Sequence, residues 1–142
     1  MKYWDASGIV PLLVRQARTR EMERILQADP AMVTWWGTPL ECLSALMRLA
    51  REGRLTADAV RDAERRLHEL RNGCDEIMPS EACRRMAERM LRVHALRAAD
   101  ALQLAAALVA SDQDPSRLEV VCLDQRMSEA GRKEGFMLAV RA

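Results

Sequence analysis

The sequence predicts an α/β fold in which a central parallel sheet is flanked by helices. Short β-prone stretches alternate with helical patterns along the chain. Strands separated by helices typically form a parallel sheet that is covered on both faces. The chain has 142 residues, the usual size of one domain, and it shows no internal repeat, linker or low-complexity tract. We therefore expect residues 1–142 to form a single domain.

Proline and glycine residues indicate where the first helices begin and end. Pro11 suits the first turn of the first helix, and Pro39 suits the first position of the third, because proline fits the start of a helix. Gly53 and Gly73 suit the ends of the third and fourth helices, where glycine is common. The elements predicted in this half are a strand at 1–4, helices at 8–14 and about 18–28, a strand at 31–36, and helices at 38–53 and 56–73.

The second half of the chain predicts three more strands and three more helices. The run LEVVCL has the strongest strand pattern in the sequence, and LRAADALQLAAAL is an almost wholly apolar run of helix-forming residues. The elements predicted here are a strand at 74–78, helices at 80–96 and 98–111, a strand at 118–123, a short helix at 125–135 and a last strand at 136–141.

The composition is typical of a globular protein, with 49% hydrophobic and 30% charged residues. The sequence contains neither an 18-residue uncharged run nor a basic-then-apolar N-terminus of the signal type. We therefore expect a cytoplasmic protein without a membrane segment. The four cysteines, at 42, 74, 83 and 122, match no CxxC metal or redox pattern, so we expect reduced, mostly buried thiols.

The arginines and two tryptophans leave alternatives open. The net charge of +1 gives no general attraction to nucleic acid, yet 20 of the 22 basic residues are arginine, which binds phosphate bidentately. Arginines recur at helical intervals at 15, 18, 20 and 24 and at 84, 85, 89 and 92, which favours solvated helix faces with local phosphate contacts. Trp35 and Trp36 would pack under helices on opposite sheet faces or stack on an RNA base.

Four carboxylates occupy positions that a parallel sheet brings towards one edge. Asp5 follows the first predicted strand, Glu41 opens the helix after the second, and Asp124 follows LEVVCL. Asp100 lies in the apolar helix before LEVVCL, where an ionised carboxylate needs a partner. Ligands of such sheets bind at the carboxyl ends of the strands, so these four side chains are candidates for one shared site.

Each carboxylate also has a simple structural interpretation as a cap or turn. Asp5 would form an Asx-turn with Ser7, and Asp124 would cap the helix that starts at Gln125. Thr38 and Glu41 would form a capping box in which Pro39 is the first helical residue. Asp100 and Gln103 would form a second capping box, and Arg97 would pair with Asp100 one turn away. A helix N-cap and the carboxyl edge of a strand are the same place in this architecture. Capping therefore does not exclude a shared site.

The all-oxygen character of the four side chains indicates a particular chemistry. Hard divalent cations such as Mg²⁺ and Mn²⁺ prefer oxygen ligands. One or two such ions activate water and stabilise an in-line displacement at phosphorus without a histidine or a side-chain nucleophile. His68 and His94 are therefore interpreted as bystanders on helix faces. Ser7 is a secondary candidate that would bond a ligand carboxylate or phosphate, or cap the first helix.

Four segments carry a resemblance to a known family. YWDASGIVPLL, TPLECLSAL, LRAADALQLAAAL and VVCLDQRMSEAGRKEGF occur in this order across the whole chain and resemble PIN-domain ribonucleases, particularly the VapC-like toxins of prokaryotic toxin–antitoxin pairs. The resemblance implies a PIN-like three-layer α/β/α fold and identifies Asp5, Glu41, Asp100 and Asp124 as its four acidic positions. This chain departs from many relatives in having Cys122 in place of Thr or Ser and Gln103 in place of His.

The resemblance implies a Mg²⁺- or Mn²⁺-dependent endoribonuclease that acts as a toxin. A cognate antitoxin and a homodimer are expected from the resemblance alone, and RNA is the expected substrate. The alternative is a PIN-like module that binds RNA or a protein without catalysis, its carboxylates serving as caps. A phosphoryl-accepting receiver-like domain ranks lower because it usually needs a lysine near its acidic pocket, and the sequence has only Lys2 and Lys133.

Overall fold

The computed structural model describes residues 1–141 and has a five-stranded, all-parallel sheet with the strand order β3-β2-β1-β4-β5. Its elements are β1 (Lys2–Trp4), α1 (Ala6–Leu13), α2 (Thr19–Ala28), β2 (Met32–Trp35), α3 (Thr38–Arg51), α4 (Ala57–Asn72), β3 (Asp75–Ile77), α5 (Glu81–Val93), α6 (Ala98–Ala110), a 3-10 turn (Pro115–Arg117), β4 (Glu119–Val121), α7 (Gln125–Lys133) and β5 (Met137–Leu138). The predicted α/β fold with a central parallel sheet is confirmed.

Neighbouring residues of each central strand face different helix layers, because successive side chains of a strand point to opposite faces. Tyr3 and Val120 pack in a core formed with α5, α6 and α7. Trp4 and Val121 pack in a second core formed with α1, α2, α3 and α4. The protein therefore has the three layers that the sequence predicts. In the part of the chain that the structure describes, no helix is both long and apolar enough to cross a membrane.

The first strand lies at the centre of the sheet, between β2 and β4. Lys2 is in register with Met32 of β2, and Trp4 is in register with Val121 of β4. The chain runs outwards from β1 through β2 to β3 and returns to the other side of β1 with β4 and β5. The carboxyl ends of β1 and β4 therefore mark the point where the strand order reverses, the usual ligand-binding position in such sheets.

Several predicted boundaries differ from the observed ones. The strands are shorter than predicted, and β5 has only two residues. The first helix begins at Ala6, so Pro11 lies in its second turn rather than in its first. Helix α3 ends before Gly53, whose φ of +73° is the left-handed conformation typical of a glycine stop, but Gly73 ends α4 without this conformation. These differences change the residues at which helices and strands begin and end, but not the order of the elements along the chain.

The two adjacent tryptophans have different environments. Trp35 is only 7% exposed and packs in the core beside α5 and α6. Trp36 lies just after β2, where its backbone amide donates to the carbonyl of Ile77, and its side chain is 49% exposed. The interpretation that both pack under helices is therefore wrong for Trp36. Stacking of Trp36 on an RNA base stays a prediction.

Gly8 is the position where α1 approaches β4 most tightly. A Cβ at this position would lie 3.0 Å from the carbonyl oxygen of Val121 and 3.1 Å from its Cγ1. We expect Gly8→Ala to destabilise the protein by about 1–3 kcal/mol, because a strand carbonyl cannot move aside as a flexible side chain does. Urea unfolding measures this change.

Gly73→Ala is the matched control. A Cβ at Gly73 would contact only carbonyl oxygens at 3.7 and 3.8 Å, and its φ is −98°. We expect this variant to unfold at an equal or slightly higher urea concentration, with a gain of at most about 1 kcal/mol. Equal stability of the two variants would contradict the tight approach of α1 to β4.

Candidate active site

Asp5 is the first residue of the candidate site, and it lies between the end of β1 and the start of α1. Its carboxylate accepts hydrogen bonds from the backbone amides of Ser7 and Gly8, both at 3.3 Å, and from the Ser7 hydroxyl at 2.7 Å. The side chain is 5% exposed. Burial raises the pKa of Asp5 to about 6, although these hydrogen bonds lower it. The predicted Asx-turn is thus confirmed, and the capped carboxylate remains energetically unfavourable when ionised.

The Ser7 hydroxyl connects two strand ends rather than capping α1. While it donates to Asp5, its Oγ accepts hydrogen bonds from the backbone amides of Leu123 at 2.8 Å and Asp124 at 3.2 Å. These amides follow β4. Ser7 therefore holds the segment that carries Asp124 beside the carboxylate of Asp5. Of the two alternatives for Ser7, the bond to a carboxylate of the predicted site is observed, and the cap of the first helix is wrong because Asp5 has that role.

Glu41 lies in the first turn of α3, but it does not form the predicted capping box. Gly37 is the N-cap, and Thr38 is already the first helical residue. The Glu41 carboxylate instead accepts a hydrogen bond at 2.9 Å from the side-chain amide of Gln103. Burial raises the pKa of Glu41 to about 7, the Gln103 bond lowers it, and the charges of Asp5 and Asp100 raise it further. Glu41 therefore belongs to the acidic group.

Gln103 lies beside Glu41 and makes contacts that the sequence analysis did not predict. It is 1% exposed, and its Oε1 accepts a hydrogen bond at 2.6 Å from the Tyr3 hydroxyl. Its Nε2 donates to Thr38 Oγ1 and to Glu41, both at 2.9 Å. The Glu41 carboxylate, which only accepts when ionised, fixes the orientation of the amide. The predicted capping box from Asp100 to Gln103 is therefore wrong, and the available signal was a polar side chain among alanines and leucines in LRAADALQLAAAL.

Asp100 and Asp124 complete the predicted set. Asp100 is the third residue of α6, and its carboxylate accepts a long hydrogen bond of 3.4 Å from the backbone amide of Arg97. Within residues 1–141 no ion pair joins Arg97 to Asp100. Asp124 caps α7 as predicted, accepting a hydrogen bond at 2.8 Å from the backbone amide of Met127. Both aspartates thus support the backbone locally while keeping oxygen atoms free for other partners.

Three of the carboxylates line one open cleft, which we call the acidic cleft. Its volume is about 510 Å³, and its walls include Glu41, Asp100 and Asp124 together with Arg48, Arg97 and Arg126. Asp5 is adjacent, since the Ser7 hydroxyl bonds both its carboxylate and the backbone amide of Asp124. The structure thus brings the four predicted carboxylates to one edge of the sheet.

The donor set suits a hard cation, although the carboxylates do not converge fully. Among the described residues, no three His, Cys, Asp or Glu side chains lie close enough together to form a complete metal centre. Carboxylate oxygens are the ligands that Mg²⁺ and Mn²⁺ prefer, and Mg²⁺ usually keeps several waters and few protein ligands. The chemistry of the residues therefore fits such an ion.

Histidine and cysteine contribute no nucleophile to the cleft. His68 and His94 lie away from the residues that line it, and His94 Nε2 is 2.6 Å from Glu134 Oε1. All four cysteines are free, as predicted, and Cys74 is the one that is not fully buried. Cys122 contacts Ser7 Oγ at 3.8 Å, and burial raises the pKa of its thiol to about 12. This thiol is therefore neutral near pH 7 and does not act as a nucleophile.

Comparisons with known proteins agree with this arrangement. No protein-family model matches the chain. The chain is 30% identical over 138 residues to Ribonuclease VapC45 of Mycobacterium tuberculosis strain CDC 1551 / Oshkosh and to Ribonuclease VapC49 of strain ATCC 25618 / H37Rv. Each alignment covers 96% of this chain and 93% of the relative.

A solved structure supports the same fold. A chain of a structure described as a toxin-antitoxin complex from Klebsiella pneumoniae aligns with a TM-score of 0.58, covering 89% of this chain and 88% of that chain. Its sequence identity is 16%, so this likeness concerns the fold alone. The sequence identity to the two mycobacterial proteins, which extends over nearly the full length, establishes the family. The chain belongs to the VapC family of ribonucleases.

Proposed function

We propose that the protein is a Mg²⁺- or Mn²⁺-dependent endoribonuclease that hydrolyses phosphodiester bonds of RNA in the acidic cleft. The observation that carries this proposal is the grouping of Asp5, Glu41, Asp100 and Asp124 at the carboxyl ends of β1 and β4. Both mycobacterial relatives are named ribonucleases. A cleft that presents oxygen ligands and arginines to solvent suits a substrate with phosphate groups.

The unfavourable charge of the acidic group supports the binding of a cation. Asp5 and Glu41 have pKa values raised to about 6 and about 7, mainly by burial. A divalent ion held by Asp5, Glu41, Asp100 and Asp124 would offset the unfavourable free energy of these buried negative charges. When bound, the ion supplies a more acidic water and neutralises the phosphate that is attacked.

The arginines of the acidic cleft have no competing ion partners. Within residues 1–141, the side chains of Arg48, Arg97 and Arg126 have no carboxylate within 4.0 Å, whereas others such as Arg71 and Arg89 are paired. All three are exposed. They are therefore available to bind and orient the phosphates on either side of the reacting bond, which fixes the position of the RNA without reading its bases.

We further propose that the protein is the toxin of a toxin–antitoxin pair. Family membership and the toxin–antitoxin complex with the same fold support an antitoxin protein as partner. We propose that the toxin acts on cellular RNA in the cytoplasm and forms a homodimer. Loss of growth on expression of the intact protein alone, and its rescue by the neighbouring gene product, test this assignment.

A second candidate is a PIN-like module that binds RNA or a protein without cleaving RNA. Two observations favour it: Asp5 and Asp124 both cap helices, and no complete metal centre exists among the described residues. Retention of RNA binding without metal-dependent cleavage identifies this function.

We expect the purified protein to cleave a structured RNA with Mg²⁺ or Mn²⁺ and to lose this activity in excess EDTA. Mg²⁺ should also raise the melting temperature of the wild type by mass action. Asp100→Asn should lose most of both effects, because it removes the negative charge and one of the two carboxylate oxygens while keeping the size of the side chain. Asp112→Asn, a control at an exposed aspartate on the turn after α6, should keep them. Equal cleavage in EDTA would contradict the metal requirement.

The raised pKa of Glu41 predicts a pH-dependent gain in stability on neutralising this residue. Because the pKa is about 7 in the folded protein against 4.5 for a free side chain, ionised Glu41 destabilises the metal-free fold above the folded pKa and has no effect below the unfolded one. In EDTA, Glu41→Gln should therefore be more stable than the wild type at about pH 8, by about 1–2 kcal/mol after solvent screening, and nearly equal at about pH 4.5.

Urea unfolding at both pH values measures this difference. Glu88→Gln on the exposed face of α5 is the control, and it should leave the pH dependence unchanged. A Glu41→Gln variant whose stability relative to the wild type does not vary with pH would show that Glu41 is not electrostatically unfavourable in the fold.

The hydrogen bonds of Gln103 predict that it positions Glu41. Gln103→Met keeps the volume but removes the donor to Glu41, so we expect weaker Mn²⁺ binding in calorimetry and about a tenfold lower kcat, the equivalent of one lost hydrogen bond. Ser111→Ala removes another buried hydrogen bond, to the carbonyl of Leu108, and should reduce stability without changing Mn²⁺ affinity. Equal effects of both variants on Mn²⁺ affinity would mean that Gln103 is merely structural.

A further inference from the structure

A second cleft adjoins the acidic cleft on the opposite side of Arg126. Its volume is about 420 Å³, within the range of about 300–1,000 Å³ that is usual for ligand pockets. One wall is the link between α5 and α6, and the other is the exposed face of α7. Its lining residues are Val93, His94, Ala95, Leu96, Arg126, Glu129, Ala130 and Lys133.

The two clefts are continuous in both walls. Arg126 lines each of them. On the other wall, Leu96 of the second cleft directly precedes Arg97 of the acidic cleft, and Asp100 follows one turn later. A polymer that is bound at the carboxylates and extends past Arg126 therefore enters the second cleft.

The wall formed by the α5–α6 link is held in place by side-chain hydrogen bonds to Glu134. His94 Nε2 lies 2.6 Å from Glu134 Oε1, and Arg89 bonds the same carboxylate through two nitrogens. The side chains of His94 and Glu134 are 6% and 11% exposed. The backbone amide of Leu96 also donates to the carbonyl of His94 at 3.0 Å. These bonds preorganise the link, so a ligand need not order it on binding.

The second cleft combines apolar walls with a basic edge. Val93 and Leu96 supply apolar surface, and Val93 is 60% exposed. Arg126 and Lys133 supply two positive charges against the single negative charge of Glu129, and among the described residues the ion pairs of other arginines, such as Arg89 with Glu134, include neither Arg126 nor Lys133. A flat base suits apolar walls, and a phosphate suits unpaired cationic side chains. A nucleotide meets both conditions, whereas an apolar peptide segment would leave the basic edge unused.

We propose that this second cleft is a nucleotide subsite, which binds the RNA nucleotide next to the phosphodiester held in the acidic cleft. Arg126 contacts the phosphate between the two clefts, and Lys133 contacts the phosphate beyond. The base packs against Val93 and Leu96. The identification of the polymer as RNA rests on the proposed function. The subsite would let the protein distinguish RNA substrates by the nucleotide next to the cleaved bond.

The first test uses the metal-free full-length protein and does not depend on cleavage. Each of the four ribonucleoside 5′-monophosphates is titrated while backbone amide shifts are followed by NMR. We expect saturable shifts at residues 93–96 and on α7 near Lys133, with at least one nucleotide. Lys133→Gln should weaken this binding severalfold, and shifts confined to other surfaces would overturn the proposal.

The second test compares neighbouring cations of α7 on RNA. Lys133→Gln should raise KM severalfold at low salt and leave kcat within about twofold. It should also reduce the slope of log KM against log salt concentration by about 0.7, the value for one phosphate contact to single-stranded nucleic acid. Arg132→Gln is the matched control, since Arg132 is exposed, adjacent in sequence and lines a different cleft. Equal changes in both variants would indicate general electrostatics and overturn the subsite.

The two tests separate this proposal from the proposed function. Nucleotide shifts at the subsite in a protein that cleaves no RNA would support the subsite and contradict the nuclease. Metal-dependent cleavage without nucleotide shifts, and with an unchanged KM in Lys133→Gln, would support the nuclease and contradict the subsite.

Discussion

The parallel pairing of β1 with β4 is the interaction on which the candidate site depends. These strands are separated by more than a hundred residues, yet Trp4 lies in register with Val121. The next residue, Asp5, donates its backbone amide to the carbonyl of Val121 at 3.2 Å. Ser7 then bonds the amides of Leu123 and Asp124. Because the strands run in the same direction, both chain segments leave the sheet at one edge with an aspartate.

The same arrangement makes the edge of the sheet electrostatically unfavourable. Helices α3 and α6 add Glu41 and Asp100 to the aspartates that follow the strands. Burial raises the pKa of Glu41, and the charges of Asp5 and Asp100 raise it further. The fold tolerates this repulsion because helix N-termini and a buried amide stabilise individual carboxylates. Stability is thereby reduced at the edge where we propose that a cation binds, and such a trade-off is common in active sites.

Much of this organisation could be predicted from sequence, because it follows from the order of the elements. Alternating strands and helices indicate a parallel sheet, and a parallel sheet brings residues such as Asp5 and Asp124 to one edge wherever their strands lie. Details that depend on the direction of one side chain could not be predicted. The segment beginning at Thr38 has the pattern of a capping box, but the helix begins one residue earlier, and Glu41 bonds another helix instead.

Gln103 shows why such a residue escapes prediction and why its chemistry matters. A glutamine in an apolar helix has the same sequence pattern whether it bonds its own helix or a distant one, and only packing brings Tyr3, Thr38 and Glu41 around it. Its amide offers one acceptor and two donor hydrogens, and these three partners use them all. Because an amide does not titrate, Gln103 offers the same donor to Glu41 at every pH at which the protein is folded. The position of this carboxylate is therefore set by the core itself, while the cleft on its other side remains open to ligands.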